Sequence, residues 1–495
     1  MKTRVIRDPV HGYIQLSDAE YRILQLPVFM RLHHVRQMPT GYLVFPGANI
    51  SRFVHSIGVM YLASKMVTQL LGSVEQEHDE LFPDLKKERI RCIVRAAGLL
   101  HDVGHGPFSH ASESAMTNAL IDLHVEEVES AKKVLVEPNE EKLPVHEYFS
   151  YKLMTESGEL KDILDEELGS KNVAALITKE IGGDAEVAKN KNGLSILRKI
   201  ISSQLDADRM DYIIRDAVWA GVSYGSIDPD RVIGNMAIRR NNERYELAIH
   251  EKALNAIESI IDARFKMYKW VYHHHMVVAT EELAQRLVLW LCQSDPEVKK
   301  RLYWKAFQEG DMSDIDMELA LKHKLRVGCE HARPFAGFID RRYLPVSLIK
   351  RRDDLERLYD DIIKAMKRNV DYPYVDKMFE EMFKNRVKYA GELERALSGL
   401  GSPVDKTVLL PVNKQASPYK ALGGEKIWLY SDTGGRGVTE LTKASSYVRH
   451  INAEFTEFPS IYFSYLVPGT TKTEARAHAE KVREAVVRVM AKIDV

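Results

Sequence analysis

One run in the sequence, ERIRCIVRAAGLLHDVG (residues 88–104), is apolar on nearly every side beyond its first turns and ends on a histidine–aspartate pair. A helix without a polar face has nothing to offer water, so other helices must surround it and the chain around it must be a multi-helix bundle. The same run forces a second conclusion. His101 and Asp102 directly follow Leu99 and Leu100, and an unpaired carboxylate at that depth costs several kcal/mol. A divalent cation removes the penalty. If the helix continues through the pair, the two side chains point about 100° apart and can bite one ion between them. His105 then lies on the face of His101, and His110 follows beyond a Gly-Pro turn.

Further ligands are available elsewhere. In FVHSIGVMYLASKMVTQLLG (53–72), His55 shares a helix face with Val59, Leu62 and Met66 and points inward. In LSILRKIISSQLDADRMDYIIRDAVWAG (194–221), read as one helix, Asp208, Tyr212 and Asp216 form a polar stripe, while Leu205, Met210, Ile213, Ile214 and Val218 are offered to the core. A polar stripe on a buried helix needs something polar to face. His55, His101, Asp102 and Asp208 together give two imidazoles and two carboxylates, a mixture suited to zinc, iron, manganese or magnesium. Such an ion would lower the pKa of water and neutralise charge at phosphorus.

The rest of the chain frames this centre. Helical periodicity dominates residues 18–223, and NMAIRRNNERYELAIH (235–250) alternates as a β-hairpin. Helices resume over about 251–325 and 350–398, and TVLLPV, KIWLY and SIYFSYLV read as strands before a closing helix. The expected fold is therefore mainly α: a helical bundle with a small β-hairpin over residues 1–330, and a smaller mixed α/β lobe over 331–495. A formal net charge of -1 over 495 residues gives no global field toward nucleic acid or anionic membrane. Three well-separated cysteines without CxxC pairing argue against a disulfide framework. With no signal-like N-terminus and no long apolar run, the expectation is a soluble cytoplasmic protein with no membrane partner.

The stretches DPVHGYIQL (8–16), RQMPTGYLVFPGANISRFVHSIGVMYLA (36–63), AGLLHDVGHGPFSH (97–110) and LDADRMDYIIRD (205–216) resemble, in order and spacing, the catalytic core of the SAM- and HD-domain dNTP triphosphohydrolases. These belong to the HD-domain metal phosphohydrolases, whose signature is H…HD…D. The expectation is an HD part without the SAM domain, the resemblance starting directly at the HD part. Resemblance is dense from residue 4 to about 280 and fades beyond.

It implies an HD helical bundle that hydrolyses a deoxynucleoside triphosphate at its α-phosphorus. One divalent ion per site is held by His55, His101, Asp102 and Asp208, with further Mg²⁺ compatible with the nucleotide. His105, His110 and His146 match cleft histidines; His110 suits the role of general acid toward the 5′ oxygen, and Glu113 is placed to orient it. For His146 a plain helix-start position near Pro144 is equally open, as is an exposed helix carboxylate for Glu113.

Arg52, Arg209 and Arg264 match phosphate-binding positions, and Gln37, Tyr212 and Asp216 match groups around the sugar 3′-OH. Tyr272 matches the aromatic that disfavours a 2′-OH. The nucleotide-linked relatives also imply a homo-oligomer, dimer or tetramer.

Departures from the family pattern are specific. Tyr268 stands where the family keeps a cleft histidine, and His273 and His275 replace a glutamine and a lysine. The regulatory guanine readers fall on Gln25, Met30 and His33. Guanine needs an acceptor for N1–H and N2–H₂ and a donor for O6; Met30 supplies neither, so activation through that site is not expected. The run His273–His275 looks like a metal tag, but three consecutive residues on a helix fan out over about 200° and cannot all grip one ion. The glycine-rich SDTGGRGVTEL (431–441) fails the P-loop pattern and reads as a flexible loop. Two alternatives stay open: an HD phosphohydrolase of another phosphate ester, and a nuclease or weak single-stranded nucleic-acid binder using the same cleft.

Overall fold

The computed structural model describes residues 4–74, 77–123, 144–156, 158–178, 185–400, 407–413, 426–432, 438–455 and 461–495. Helices carry most of them, with three small sheets and connecting turns, the mainly α class expected. No helix among the described residues is long and apolar enough to cross a membrane. The glycine-rich residues 433–437 lie outside the described residues.

The chain forms two compact units that interleave along the sequence. The first comprises Met1–Tyr268, Val288–Met317 and Ser417–Ala453; the second comprises Lys269–Leu287, Glu318–Ala416 and Glu454–Val495. In the first unit, the helices Arg52–Gly72, Lys87–Leu100, Lys191–Ile201 and Ala207–Ala220 pack on one another. Val59, Met60, Ile93, Val94, Leu197, Ile200 and Ile213 are buried among them, each worth about 1.5–3 kcal/mol of transfer free energy. An antiparallel hairpin, β1 (Arg4–Asp8) and β2 (Gly12–Leu16), precedes the bundle.

The hairpin expected at 235–250 is present as β3 (Met236–Asn241) and β4 (Arg244–His250), with Met236 opposite Ile249. It is half of a larger sheet. After β5 (Val346–Ser347) and β6 (Val408–Asn413) in the second unit, β7 (Trp428–Tyr430) pairs parallel with β4, and β8 (Val438–Glu440) pairs with β7. In the second unit β9 (Ile461–Leu466) lies between β5 and β6 and is buried at every residue, as a central strand must be. Its helices close over Leu358, Ile362, Met378, Phe379, Phe463 and Val486.

Three helical expectations need correction, each where the chemistry sits. The His101–Asp102 pair is not inside a helix: the helix ends at Leu100, and residues 101–104 form a turn. His101 donates its Nδ1–H to the Gly98 carbonyl at 2.9 Å, satisfying one of the acceptors a helix end leaves orphaned. His105 therefore reaches its neighbours from the turn rather than from a shared helical face. The run 194–221 is two helices, because the Asp206 carboxylate accepts from Ser203 N and Arg209 N, both at 2.6 Å, and caps a new start at Ala207. The triple histidine is not one helical run either: Tyr268–Tyr272 is a π-helical segment, and a fresh helix begins at His275.

Candidate metal centre and active-site cleft

Two of the expected ligands arrive with their tautomers already chosen. His101 spends Nδ1–H on the helix terminus, so its Nε2 keeps a free lone pair; this atom is buried and has no hydrogen-bond partner. His55, fully buried near the start of the Arg52–Gly72 helix, faces Asp211 Oδ2 with Nδ1 at 2.8 Å. Its Nε2 is likewise buried without a hydrogen bond, although Asp208 Oδ1 is 3.0 Å away and Asp102 Oδ2 3.6 Å. A carboxylate behind the ring and a bare nitrogen in front is how protein imidazoles are presented to metals.

One donor atom each from His55, His101 and Asp208 lies within 4.8 Å of the other two, so the three could hold a metal ion. Asp102 stands at the edge of this trio, its Oδ1 3.4 Å from His101 Nε2, with the other oxygen engaged by Arg52. Electrostatics agree with the donor set. Burial opposes a charge on the His55 ring, but Asp208 and Asp211 outweigh it and raise the group to about 10. Asp102 is buried, yet Arg52, His101 and His105 hold it well below the usual carboxylate range. Without an ion the His55 ring therefore carries the positive charge itself, and a bound cation would take the place of its Nε2 proton.

A second cluster adjoins the first. The His105 and His146 rings stack at 3.9 Å, and His110 stands edge-on to both at 4.8 and 5.3 Å. Glu113 Oε1 accepts from His110 Nδ1 at 2.7 Å and from His146 Nδ1 at 2.6 Å. Glu113 thus orients two rings rather than one, and His146 is both the second residue of the Val145–Thr155 helix and a cleft residue. Burial, with Arg52 and His146 nearby, drives the His105 pKa well down, leaving that ring neutral. These four residues also meet the geometric requirement for a cation site. Gly104 makes the cluster possible: a Cβ there would sit 2.2 Å from the His146 carbonyl oxygen and 2.4 Å from Ser150 N. Only glycine lets the turn seat against that helix.

A cleft opens beside both clusters. His101, Asp102, His105, His110, His146 and Asp208 line it, with Gln37, Arg52, Arg209 and Tyr212. Arg52 reaches it held by Asp102 and by a 2.7 Å bond from Nε to Ser109 Oγ. Arg209 is paired with the capping Asp206.

Other expected residues lie outside the lining. Arg264 is buried, donates to Gln204 Oε1 at 3.3 Å and lies over the Tyr268 ring. Asp216 is buried further along the Ala207–Ala220 helix, and Tyr272 falls in the second unit. At the expected guanine position Gln25 and Met30 are exposed, and His33 stacks on Phe53 at 3.6 Å.

Several site residues escape the sequence reading. Glu147, Ile177, Ile201 and Ser202 add an apolar and polar wall to the cleft. Asp211 and Arg215 occupy the buried face of their helix, while Val218, expected in the core, is 60% exposed. The signal for the pair was an acid–base spacing of four, set among the apolar Met210, Ile213 and Ala217 of the helix.

Comparison with known proteins places this architecture. Residues 52–215 match the model of the HD domain, and residues 227–369 match that of the HD associated region. The chain thus carries an HD domain followed by an HD associated region. It is 29% identical over 346 residues to an uncharacterised protein of Methanocaldococcus jannaschii, covering 70% of this chain and 59% of that one. It is 27% identical over 363 residues to the deoxynucleoside triphosphate triphosphohydrolase SAMHD1 of Gallus gallus, covering 69% and 55%. These matches thus span between about half and three fifths of the relatives' own length. A solved phosphohydrolase of Bacteroides thetaiotaomicron shares the fold with a TM-score of 0.61 at 22% identity, over 94% of this chain and 99% of that one.

Proposed function

We propose that the cleft hydrolyses deoxynucleoside triphosphates at the α-phosphorus, releasing deoxynucleoside and inorganic triphosphate. The observation that carries this reading is a donor set of His55, His101 and Asp208, two of whose members, His101 and Asp208, line a cleft shared with Arg52, Arg209 and the Glu113-bonded His110. Likeness to the Gallus gallus triphosphohydrolase supports the choice of substrate.

His55, His101 and Asp208, with Asp102 beside them, would hold the divalent cation. When bound, that ion supplies Lewis acidity, lowering the pKa of water and offsetting charge at phosphorus. The protein's own groups do the rest. Arg52 and Arg209 offer cationic forks to the phosphate oxygens. Their carboxylate partners, Asp102 and Asp206, keep the guanidinium groups aimed before substrate arrives. Water adds at the α-phosphorus, giving up one proton to solvent, and the bond from phosphorus to the 5′ oxygen breaks. His110, whose Nδ1–H is committed to Glu113, hands the departing oxygen its proton from Nε2, a step worth about 10²–10⁴ in rate.

Purified protein incubated with dNTPs, NTPs and nucleoside monphosphates, each with Mn²⁺, Mg²⁺, Fe²⁺ or Zn²⁺, tests the reading by ion-exchange chromatography of products. Inorganic triphosphate and deoxynucleoside are expected. Orthophosphate release, or turnover confined to monophosphates, would replace this function with a phosphomonoesterase activity.

A further inference from the structure

Behind His55 lies a buried ion network that the proposed chemistry does not use. The Asp211 carboxylate accepts from His55 Nδ1 at 2.8 Å, His11 Nε2 at 2.6 Å, Arg215 Nε at 2.7 Å and Arg215 Nη2 at 2.9 Å. Arg215 is itself fully buried and turns its other edge to Asp8, with bonds of 2.9 and 3.2 Å. Asp8 Oδ1 in turn accepts Val10 N and His11 N at 2.9 and 2.8 Å, which fixes the turn of the β1–β2 hairpin. The side chains of Asp8, His11, Asp211 and Arg215 are all at most 7% exposed. Burying this many charges is costly, and stability alone does not reward it.

The His55 helix is shaped around the same network. Gly58 sits one turn beyond His55, and a Cβ there would meet Asp211 Oδ1 at 2.0 Å and Arg215 Nη2 at 2.3 Å. A glycine inside a helix costs about 1 kcal/mol relative to alanine. Here it admits the Asp211–Arg215 fork to the side of the ring opposite the cleft.

We propose that Asp211 is the positioning residue of the metal centre, and that the N-terminal hairpin, through Asp8 and His11, is part of that centre. This rests on the reading of His55, His101 and Asp208 as ligands. Asp211 holds the Nδ1–H tautomer of His55 and its ring angle, so that Nε2 presents its lone pair to the ion without reorganising. Arg215 and His11 hold Asp211 from two further sides. The hairpin lies upstream of the segment that matches the HD domain, which begins at residue 52; the matched segment alone would therefore carry the ligands without the support that orients one of them.

The test is a direct measurement of Mn²⁺ affinity by competition with a fluorescent chelator, together with visible spectra of the Co²⁺-loaded full chain. Asp211→Asn and His11→Phe are each expected to raise the Mn²⁺ Kd by about 10- to 100-fold, the usual effect of losing an outer partner of a metal-bound histidine, and to alter the Co²⁺ bands. His11→Gln, whose amide can still donate to Asp211, should recover most of the affinity. Gly58→Ala should weaken binding in the same direction. Circular dichroism checks each fold, and if Asp211→Asn is unfolded, the His11 pair decides. If His55→Ala abolishes binding while His11→Phe binds as wild type, the positioning role is overturned and the ligand reading stands. If the wild-type chain takes up no Mn²⁺ at all, the ligand reading falls and this proposal falls with it.

Discussion

Asp314 gives the most demanding test of how the cleft is held together. It is fully buried at the start of the Asp314–Arg326 helix and accepts the Phe108 N–H at 2.6 Å, a partner 206 residues away in sequence. It also accepts from Arg36 N at 3.2 Å and Arg36 Nη1 at 3.1 Å. Phe108 and Ser109 both hold left-handed backbone, with φ of 55° and 52°, a conformation that costs side-chain-bearing residues about 1–2 kcal/mol each. Such strain persists only where the surroundings over-determine it. Asp314→Ala leaves the Phe108 N–H buried without its carboxylate, a loss of about 1–3 kcal/mol. Arg36 is part-exposed and resolvates at little cost. The expected loss is therefore about 1–3 kcal/mol, toward the lower end where the turn relaxes and releases its strain. Asp314→Asn keeps one acceptor oxygen and should lose about half as much. Urea unfolding followed by tryptophan fluorescence measures both. Relaxation would also draw Ser109 Oγ from Arg52, so the KM for the nucleotide should rise in Asp314→Ala. A loss under about 0.5 kcal/mol with unchanged kinetics would refute the reasoning, since surface substitutions reach that much.

Three further outcomes follow from the same geometry. Asp208→Ala should abolish both bound metal, by elemental analysis, and turnover, with its circular dichroism unchanged; retained activity would remove Asp208 from the ligand set. Burial opposes the Glu113 charge, but His110 and His146 outweigh it and hold the carboxyl far below its ordinary 4.5, so the unfolded chain takes up a proton that the native state refuses. The resulting stability is complete above about pH 4.5 and is lost as pH falls further, and Glu113→Gln should flatten that acid limb in a Tm-against-pH series. Burial pushes the Cys292 thiol up to about 12, so in native protein iodoacetamide should label half-buried Cys329 well before Cys292, as peptide mapping would reveal.

The candidate ligands were legible because each broke a pattern: a histidine on an apolar face at residue 55, a charged pair closing an apolar run at 101–102, an acidic stripe at 208. Their support was not. Asp211 and Arg215 read as ordinary charges until folding brought Asp8 and His11 beside them from the other end of the domain, and no local pattern encodes a contact across about 200 residues. The helix end at Leu100 was missed because the residue that stops it, His101, terminates the helix through its own side chain. The break at Ser202–Asp206 was visible in principle, as Ser-Ser-Gln-Leu-Asp carries a good capping residue, but apolar periodicity on both sides masked it. Asp314 had no sequence signal, because its partner is a backbone amide.

The parallel seam between β4 and β7 also dictates an order of assembly. A ribosome must pass residue 430 before the edge of β4 can be covered, so a nascent or truncated chain ending near residue 400 carries the strand Arg244–His250 with one rim of amides and carbonyls open. Bare rims of that kind recruit strands from other molecules. Expression of such fragments is therefore expected to yield aggregates, and in the full chain the short strand Trp428–Tyr430 guards that rim against self-association.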